Sequence, residues 1–478
     1  VLLAAIMTMA MAVTAFAGEG ASGTKTLTVN VKDGQNLNGQ TINLYKLFDV
    51  TESGTTESKN YAYTVNTASG YKDALVSVLG SSITASSTDE QFAAAVLAIG
   101  SNNSTEVQNF ANNFTTYALK NSLKATATSG KIADSKTSYD FTELATGYYL
   151  VYVTGGKEIQ SSLVTVDETT TTVNLKTEAP SITKTADKET VSIGQVVEYT
   201  VTGTIPDTTG YDQYQYIIHD ELSQGLDFVK NAAGETLDDA TKVNVAITFK
   251  ETSVTDKGTA PTTATLDTAN NRKMSLDLSE WVRDNQANKG KEFTVTYYAK
   301  VNKDAVVTEK NKAQLEYGNK PGETTTTTPS EAKTPTYPLD ILKIKKGAEE
   351  TLAGAHFTLY ASTQEGAIDE SKPIKVTKDV DGKYSYAADQ TSTDPSVITD
   401  MVTVATKFEG TGYNLHINGL AAGTYYLKET KAPGGYNKLT EAIKVTITKS
   451  ADEDENNWTL TVDKGTVEGK IVKVENSS

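Results

Sequence analysis

The 478-residue chain contains no cysteine. That single absence excludes disulfide staples, thiolate metal sites and cysteine nucleophiles. Histidine occurs three times, at His219, His356 and His416, without the spacing of a metal-ligand set. A zinc hydrolase or a serine–histidine triad is therefore not indicated, and neither metal nor cofactor is expected. An excess of positive charge is also missing. Forty-four Lys and Arg stand against 60 Asp and Glu, a net charge of −16, the opposite of what a nucleic-acid partner attracts. With 34 glycines and 10 prolines, the chain is too poor in both for a low-complexity protein. Its 38% hydrophobic and 22% charged residues suit globular cores, and its length suits about three domains of roughly 150 residues.

One long apolar run is present, and it is at the start. Val1–Val13 leads to Ala15-Phe16-Ala17 before Gly18-Glu19, the apolar region and small-residue cleavage site of a secretory leader. The run is too short to cross a bilayer core of roughly 30 Å. Residues 1–17 are expected to be a leader lacking its methionine and basic region, so the mature protein is exported and must be stable there without disulfides.

Three blocks follow, at 18–176, 177–334 and 335–478. The first opens with alternation at Thr26–Val31 and Thr41–Phe48, and returns to strands at Gly147–Val153 and Thr172–Leu175. Between them, Ser87 with Glu90 reads as a capping box, and Val107, Phe110, Ala111, Phe114 and Ala118 recur at helical spacing. The second block is nearly all strand, clearest at Val196–Thr202 and Glu292–Val301, and ends in a polar tract, Thr324–Ser330, that reads as a linker. The third is again strand-rich. The class is mainly all-β, three Ig-like β-sandwiches in tandem, the first with a helical insertion.

The outer blocks repeat one another. Leu37-Asn38-Gly39 before Leu44-Tyr45 matches Leu352-Ala353-Gly354 before Leu359-Tyr360, and Leu144–Leu150 matches Leu420–Leu427. Gly39 and Gly354 are expected to mark tight turns.

Glu429 is the residue out of place. It lies within Tyr425-Tyr426-Leu427-Lys428-Glu429-Thr430-Lys431-Ala432-Pro433-Gly434-Gly435-Tyr436, and a carboxylate in an apolar strand is costly unless paired or protonated. This Glu-Thr-x-Ala-Pro-x-Gly-Tyr pattern, with Leu-Ala-Gly-Ala-x-Phe upstream, resembles the B-type collagen-adhesin-like (CnaB-type) domains of Gram-positive pilins. The mature chain resembles a sortase-assembled major (backbone) pilin. In that family the acid promotes an intramolecular isopeptide bond between a first-strand Lys and a last-strand Asn. The resemblance implies Lys343, Glu429 and Asn476 in the third block, with Lys345 as the alternative lysine two residues on. In the second it implies Lys184, Asp220 and Asn311, with Asp220 either the acid or the start of a turn. The first block lacks both amine and acid, since the repeat sets Tyr152 or Val151 at the place of Glu429 and about Thr28 at that of Lys343.

The chemistry has its own physical logic. The amine must be neutral although lysine ordinarily titrates near roughly 10.4, and a protonated acid helps although Glu titrates near roughly 4.3. Burial shifts both in the required directions by up to roughly 3–5 units. Proximity removes up to roughly 7–11 kcal/mol of barrier, and the acid can shuttle protons as ammonia leaves.

Between subunits, the resemblance implies a pilus-specific sortase that joins the carboxy end of one subunit to a lysine of the next. Lys176 is the candidate, although no Tyr-Pro precedes it. The sorting signal would follow Ser478. The implied protein is a structural, non-enzymatic subunit of a cell-wall-anchored surface pilus, with other subunits, the sortase, the cell wall and a host ligand as partners. An ancillary or tip adhesin is the competing class, and a secreted polysaccharide hydrolase the third, for which no region outside the sandwiches is large enough.

Overall fold

The computed structural model describes residues 23–478 except 33, 56, 101–103, 156–159, 168, 176–179, 209–210, 212, 453 and the side chain of 319. The expected leader and Lys176 lie outside the described residues. Three successive units each contain two sheets. The middle unit shows why. Along Glu292–Val301 the buried residues are Phe293, Val295, Tyr297, Ala299 and Val301, and the others face outward. Such strict alternation leaves one face for a core and one for water, so two sheets close on each other.

The first unit departs from this pattern. Its strand Gly147–Thr154 is buried at all eight positions. Tyr149, Val151 and Val153 pack with Leu27 and Val29 of the first strand, Lys25–Asn30. Tyr148, Leu150 and Tyr152 pack on the other face against helices Tyr71–Val78, Asp89–Leu97 and Thr105–Lys120. The helical insertion thus covers a second apolar sheet face, with Val107, Phe110, Ala111, Phe114 and Ala118 pointing inward. Burying each such large side chain stabilises by roughly 1.5–3 kcal/mol. The capping box of Asp89–Leu97 is Thr88 with Gln91, one residue beyond the expected Ser87 and Glu90. Ser87 is engaged elsewhere, its Oγ accepting from the Thr84 amide at 2.9 Å.

In the middle unit, Leu226–Val229, Glu292–Val301, Val196–Thr204 and Thr183–Ala186 lie side by side in one sheet. Lys273–Asp277, Gln215–Leu222 and Thr308–Lys320 are central in the other. The tract expected to be a linker belongs to this second sheet. Glu323–Thr326 and Ser330–Pro335 both pair with Thr308–Lys320. Threonine favours strands, and a polar strand at a wet edge has the same composition as a linker, so sequence alone could not separate them.

The internal repeat is real and can be aligned by register. In the third unit Tyr337–Lys345 runs antiparallel to Leu415–Leu420 and parallel to the last strand, Ile471–Asn476. In the first unit Lys25–Asn30 stands likewise between Ser138–Leu144 and Thr170–Asn174. Tyr149 donates to the Ala145 carbonyl at 2.6 Å, and Tyr425 donates to Ala421 at the same distance. Gly39 and Gly354 both turn at φ +79. Counting from these anchors, Val31 stands at the place of Lys343 and Val153 at that of Glu429, not Thr28 and Tyr152 or Val151 as expected. The Tyr-Tyr pair alone does not set the register, which depends on cross-strand pairing. The first unit does bury one lysine, Lys46, on its other sheet and ion-paired to the half-exposed Asp49 at 2.7 Å.

Removing either corner hydroxyl should cost about 1 kcal/mol. Tyr149→Phe is expected to lower the melting temperature of the first unit and Tyr425→Phe that of the third, as read by calorimetry; an unshifted transition would show the repeated corner to be incidental.

Candidate functional site

In the third unit the parallel register of first and last strands sets Lys343 opposite Val474. Side chains two apart share a face, so Asn476 joins Lys343 inside the sandwich. Glu429 enters from the facing sheet, on Gly423–Lys431. The Lys343 and Glu429 side chains are both 0% exposed, with Nζ 3.6 Å from Oε2. Lys345 is half-buried, two residues along. Asn476 donates from Nδ2 to Glu429 Oε1 at 3.0 Å and to the Asn437 carbonyl at 2.8 Å. The Leu439 amide also donates to Glu429 Oε1, at 2.9 Å. Buried Asn414 accepts from the Lys343 amide at 2.8 Å, fixing the strand at Lys343.

The middle unit assembles the same residue types differently. Its first strand, Thr183–Ala186, pairs with Val196–Thr204, and the Lys184 amide donates across to Ser330 Oγ at 3.0 Å. Ser330 begins the strand that pairs Ala332 with Asn311. Asp220 lies inside Gln215–Leu222 rather than at a turn, opposite Ala313 and one diagonal from Asn311. Lys184 and Asp220 side chains are wholly buried, with Nζ 2.7 Å from Oδ2. Tyr297, on Glu292–Val301, hydrogen-bonds both Lys184 Nζ and Asp220 Oδ2. The rings of Tyr199 and Tyr297 lie 4.4 and 4.3 Å from Nζ.

Burial is the first cause of the electrostatics in both sites. It pulls Lys343 down from its ordinary value to about 8, with Glu429 opposing. It pulls Lys184 down to about 8, with Asp220 opposing. It raises Asp220, against the pull of Lys184 and Tyr297. At pH 7 an ordinary lysine is neutral in roughly one molecule in 2,500, and one titrating near 8 in roughly one in ten. Several polar atoms here are buried without hydrogen-bond partners: Glu429 Oε2, Asn476 Oδ1, Asp220 Oδ1 and both amide atoms of Asn311. Buried polar groups in folded proteins are nearly always partnered. Two such clusters, each holding an amine, an acid and a carboxamide, are equipped for acyl transfer from amide to amine.

Sequence reasoning missed Tyr297, Asn414 and the backbone of 437–439. Tyr297 had a faint signal, its inward position in a strictly alternating strand; the others had none. The histidines play no part at these centres. Each faces a carboxylate: His219 Glu316 at 2.8 Å, His356 Asp400 at 2.8 Å and His416 Asp340 at 2.5 Å. No group of metal-ligating side chains occurs among the described residues.

Comparison with known proteins follows from this geometry. Residues 338–464 match the family model of the SpaA prealbumin-like fold domain, a span that includes Lys343 and Glu429. No curated protein sequence matches the chain. Similar solved structures include the major pilin SpaA of Corynebacterium diphtheriae, at 17% identity over 95% of this chain and 100% of that one, TM-score 0.48. The T6 backbone pilin of serotype M6 Streptococcus pyogenes shares 17% identity over 95% of this chain and 98% of its own, TM-score 0.47. The full-length major pilin SpaD of Corynebacterium diphtheriae shares 16%, over 95% and 97%, TM-score 0.44.

The lowered lysine makes a pH prediction once Asn476 is removed. In Asn476→Ala, folding below pH 8 buries an ammonium, whereas between about 8 and the ordinary lysine range the unfolded chain binds more protons than the folded one. Stability of the third unit should therefore rise with pH across that window, by up to about 3 kcal/mol. The double variant Lys343→Met/Asn476→Ala should lack the rise; parallel pH profiles of melting temperature would refute it.

Proposed function

We propose that this chain is the structural backbone subunit of a covalently polymerised surface pilus, held together internally by two Lys–Asn isopeptide bonds. The observation that carries the reading is the pair of solvent-free clusters, Lys343–Glu429–Asn476 and Lys184–Asp220–Asn311, one in each of two tandem sandwiches. In each, the neutral amine attacks the asparagine Cγ, an amide forms, and the side-chain nitrogen leaves as ammonia. The carboxyl takes the proton lost by the amine and gives one to the departing nitrogen. No cofactor enters the balance. Each centre reacts once, so the chain is its own substrate and not an enzyme in the turnover sense.

The mechanical consequence supports a fibre role. A Lys343–Asn476 bond ties the first strand of the third unit to its last, so tension bypasses residues 344–475. A Lys184–Asn311 bond does the same for 185–310. Covalent bypass does what disulfides do in other exported proteins, without cysteine. The match of residues 338–464 to a SpaA-type domain agrees with the same role. Lys176, between the first and second units, is the proposed lysine that a sortase joins to the next subunit, in a head-to-tail polymer anchored at the cell wall.

Intact mass tests the crosslinks: the folded chain should weigh two ammonia masses less than its sequence, and Glu429→Ala should restore one. A mass equal to the sequence would end the proposal. Polymerisation is tested separately. In cells carrying the cognate sortase, Lys176→Ala should abolish the ladder of covalent oligomers on denaturing gels, and an undiminished ladder would assign the linkage to another lysine.

A further inference from the structure

The two clusters differ in whether a third side chain touches both amine and acid. In the third unit no side-chain hydroxyl bridges them: Glu429 Oε1 is held by the Leu439 amide and by Asn476 itself, and Lys343 Nζ faces Oε2 across 3.6 Å. In the middle unit the Tyr297 hydroxyl touches Lys184 Nζ and Asp220 Oδ2 at once. Lys184 and Tyr297 thus share one carboxylate oxygen, while Asp220 Oδ1 and the Asn311 amide have no hydrogen-bond partner. We propose that Tyr297 is a catalytic residue of the middle unit, its phenol relaying the proton from Lys184 to Asp220 and then holding Asp220 while the freed amine turns to Asn311. This rests on the crosslink reading above.

A buried ammonium 2.7 Å from a carboxylate is held as an ion pair, and its nitrogen carries no free lone pair. The reaction requires the reverse. As the phenol oxygen accepts a proton from Nζ, its own proton passes to Oδ2, which leaves a neutral amine, a neutral acid and an unchanged tyrosine. The amine then attacks Asn311 Cγ. Asp220 delivers its proton to the departing nitrogen and receives the one the amine sheds, so one ammonia leaves and Asp220 ends protonated. Burial and Asp220 push the Tyr297 hydroxyl well above its ordinary value, so it relays without resting as phenolate. The ring is fixed for the task, packed against Tyr199 and Phe228 with centroids 6.0 and 6.2 Å apart.

The test is a time course in the full chain. Cell-free synthesis is quenched at intervals, and the branched tryptic peptides are counted by mass spectrometry, the Lys343–Asn476 bond serving as an internal clock. Tyr297→Phe should slow the Lys184–Asn311 bond on the order of 100-fold, within the range of lost proton-transfer catalysis, and leave the Lys343–Asn476 bond at its normal rate. Tyr216→Phe removes another buried hydroxyl of the same core and should slow neither. An unchanged Lys184–Asn311 rate in Tyr297→Phe overturns the relay. So does equal slowing in Tyr216→Phe, which would mean that core packing alone sets the rate. Absence of both branched peptides from the unmodified chain would instead sink the crosslink reading on which the relay depends.

Discussion

An ammonium inside an apolar sandwich has lost its water, and everything distinctive about the second and third units follows from how that loss is met. A buried ion pair recovers the desolvation cost only when the remaining protons and lone pairs are also satisfied. Around Lys343 and Lys184 they are not: each site keeps buried polar atoms without a hydrogen bond. The folded state with free side chains is therefore electrostatically uncomfortable. The proposed covalent bond would remove the charge and leave an amide that the core can hold.

The sandwich architecture decides which strands such a bond would join. In the third unit first and last strands are hydrogen-bonded neighbours running parallel, so the proposed bond would join the two ends of the unit. In the middle unit the first strand lies in the opposite sheet from the last long strand. The Lys184 backbone reaches that sheet through the Ser330 hydroxyl. Two different topologies thus bring an amine, an acid and a carboxamide together, and the third party at each site differs accordingly, a phenol in one and a loop backbone in the other.

The first unit shows what the same fold does without the cluster. Val31 and Val153 stand where the amine and acid would be, and its sheet is apolar on both faces beneath three helices. Its stability rests on hydrophobic burial and on the corner tyrosine it shares with the third unit. Lys46 is buried there too, but its partner Asp49 reaches solvent and completes an ordinary ion pair.

Much of this was legible in the residues themselves. Strand alternation, the helical spacing of Val107 to Ala118, the repeated Leu-Ala-x-Gly segments and an acid stranded in an apolar strand are all local patterns, set by periodicities of two and 3.6 that act within a few residues. Lys184, Asp220, Asn311, Lys343, Glu429 and Asn476 could be named from motifs because each sits near a recognisable strand end or acid segment. What folding alone decided is which atoms meet. Lys343 rather than Lys345 lies against Glu429, Tyr297 touches both Lys184 and Asp220, the backbone of Asn437 and Leu439 engages Asn476 and Glu429, and a threonine tract becomes sheet instead of tether. Those outcomes depend on cross-strand register and on the separation of two facing sheets, quantities fixed by packing across long stretches of chain and written in no short segment of it.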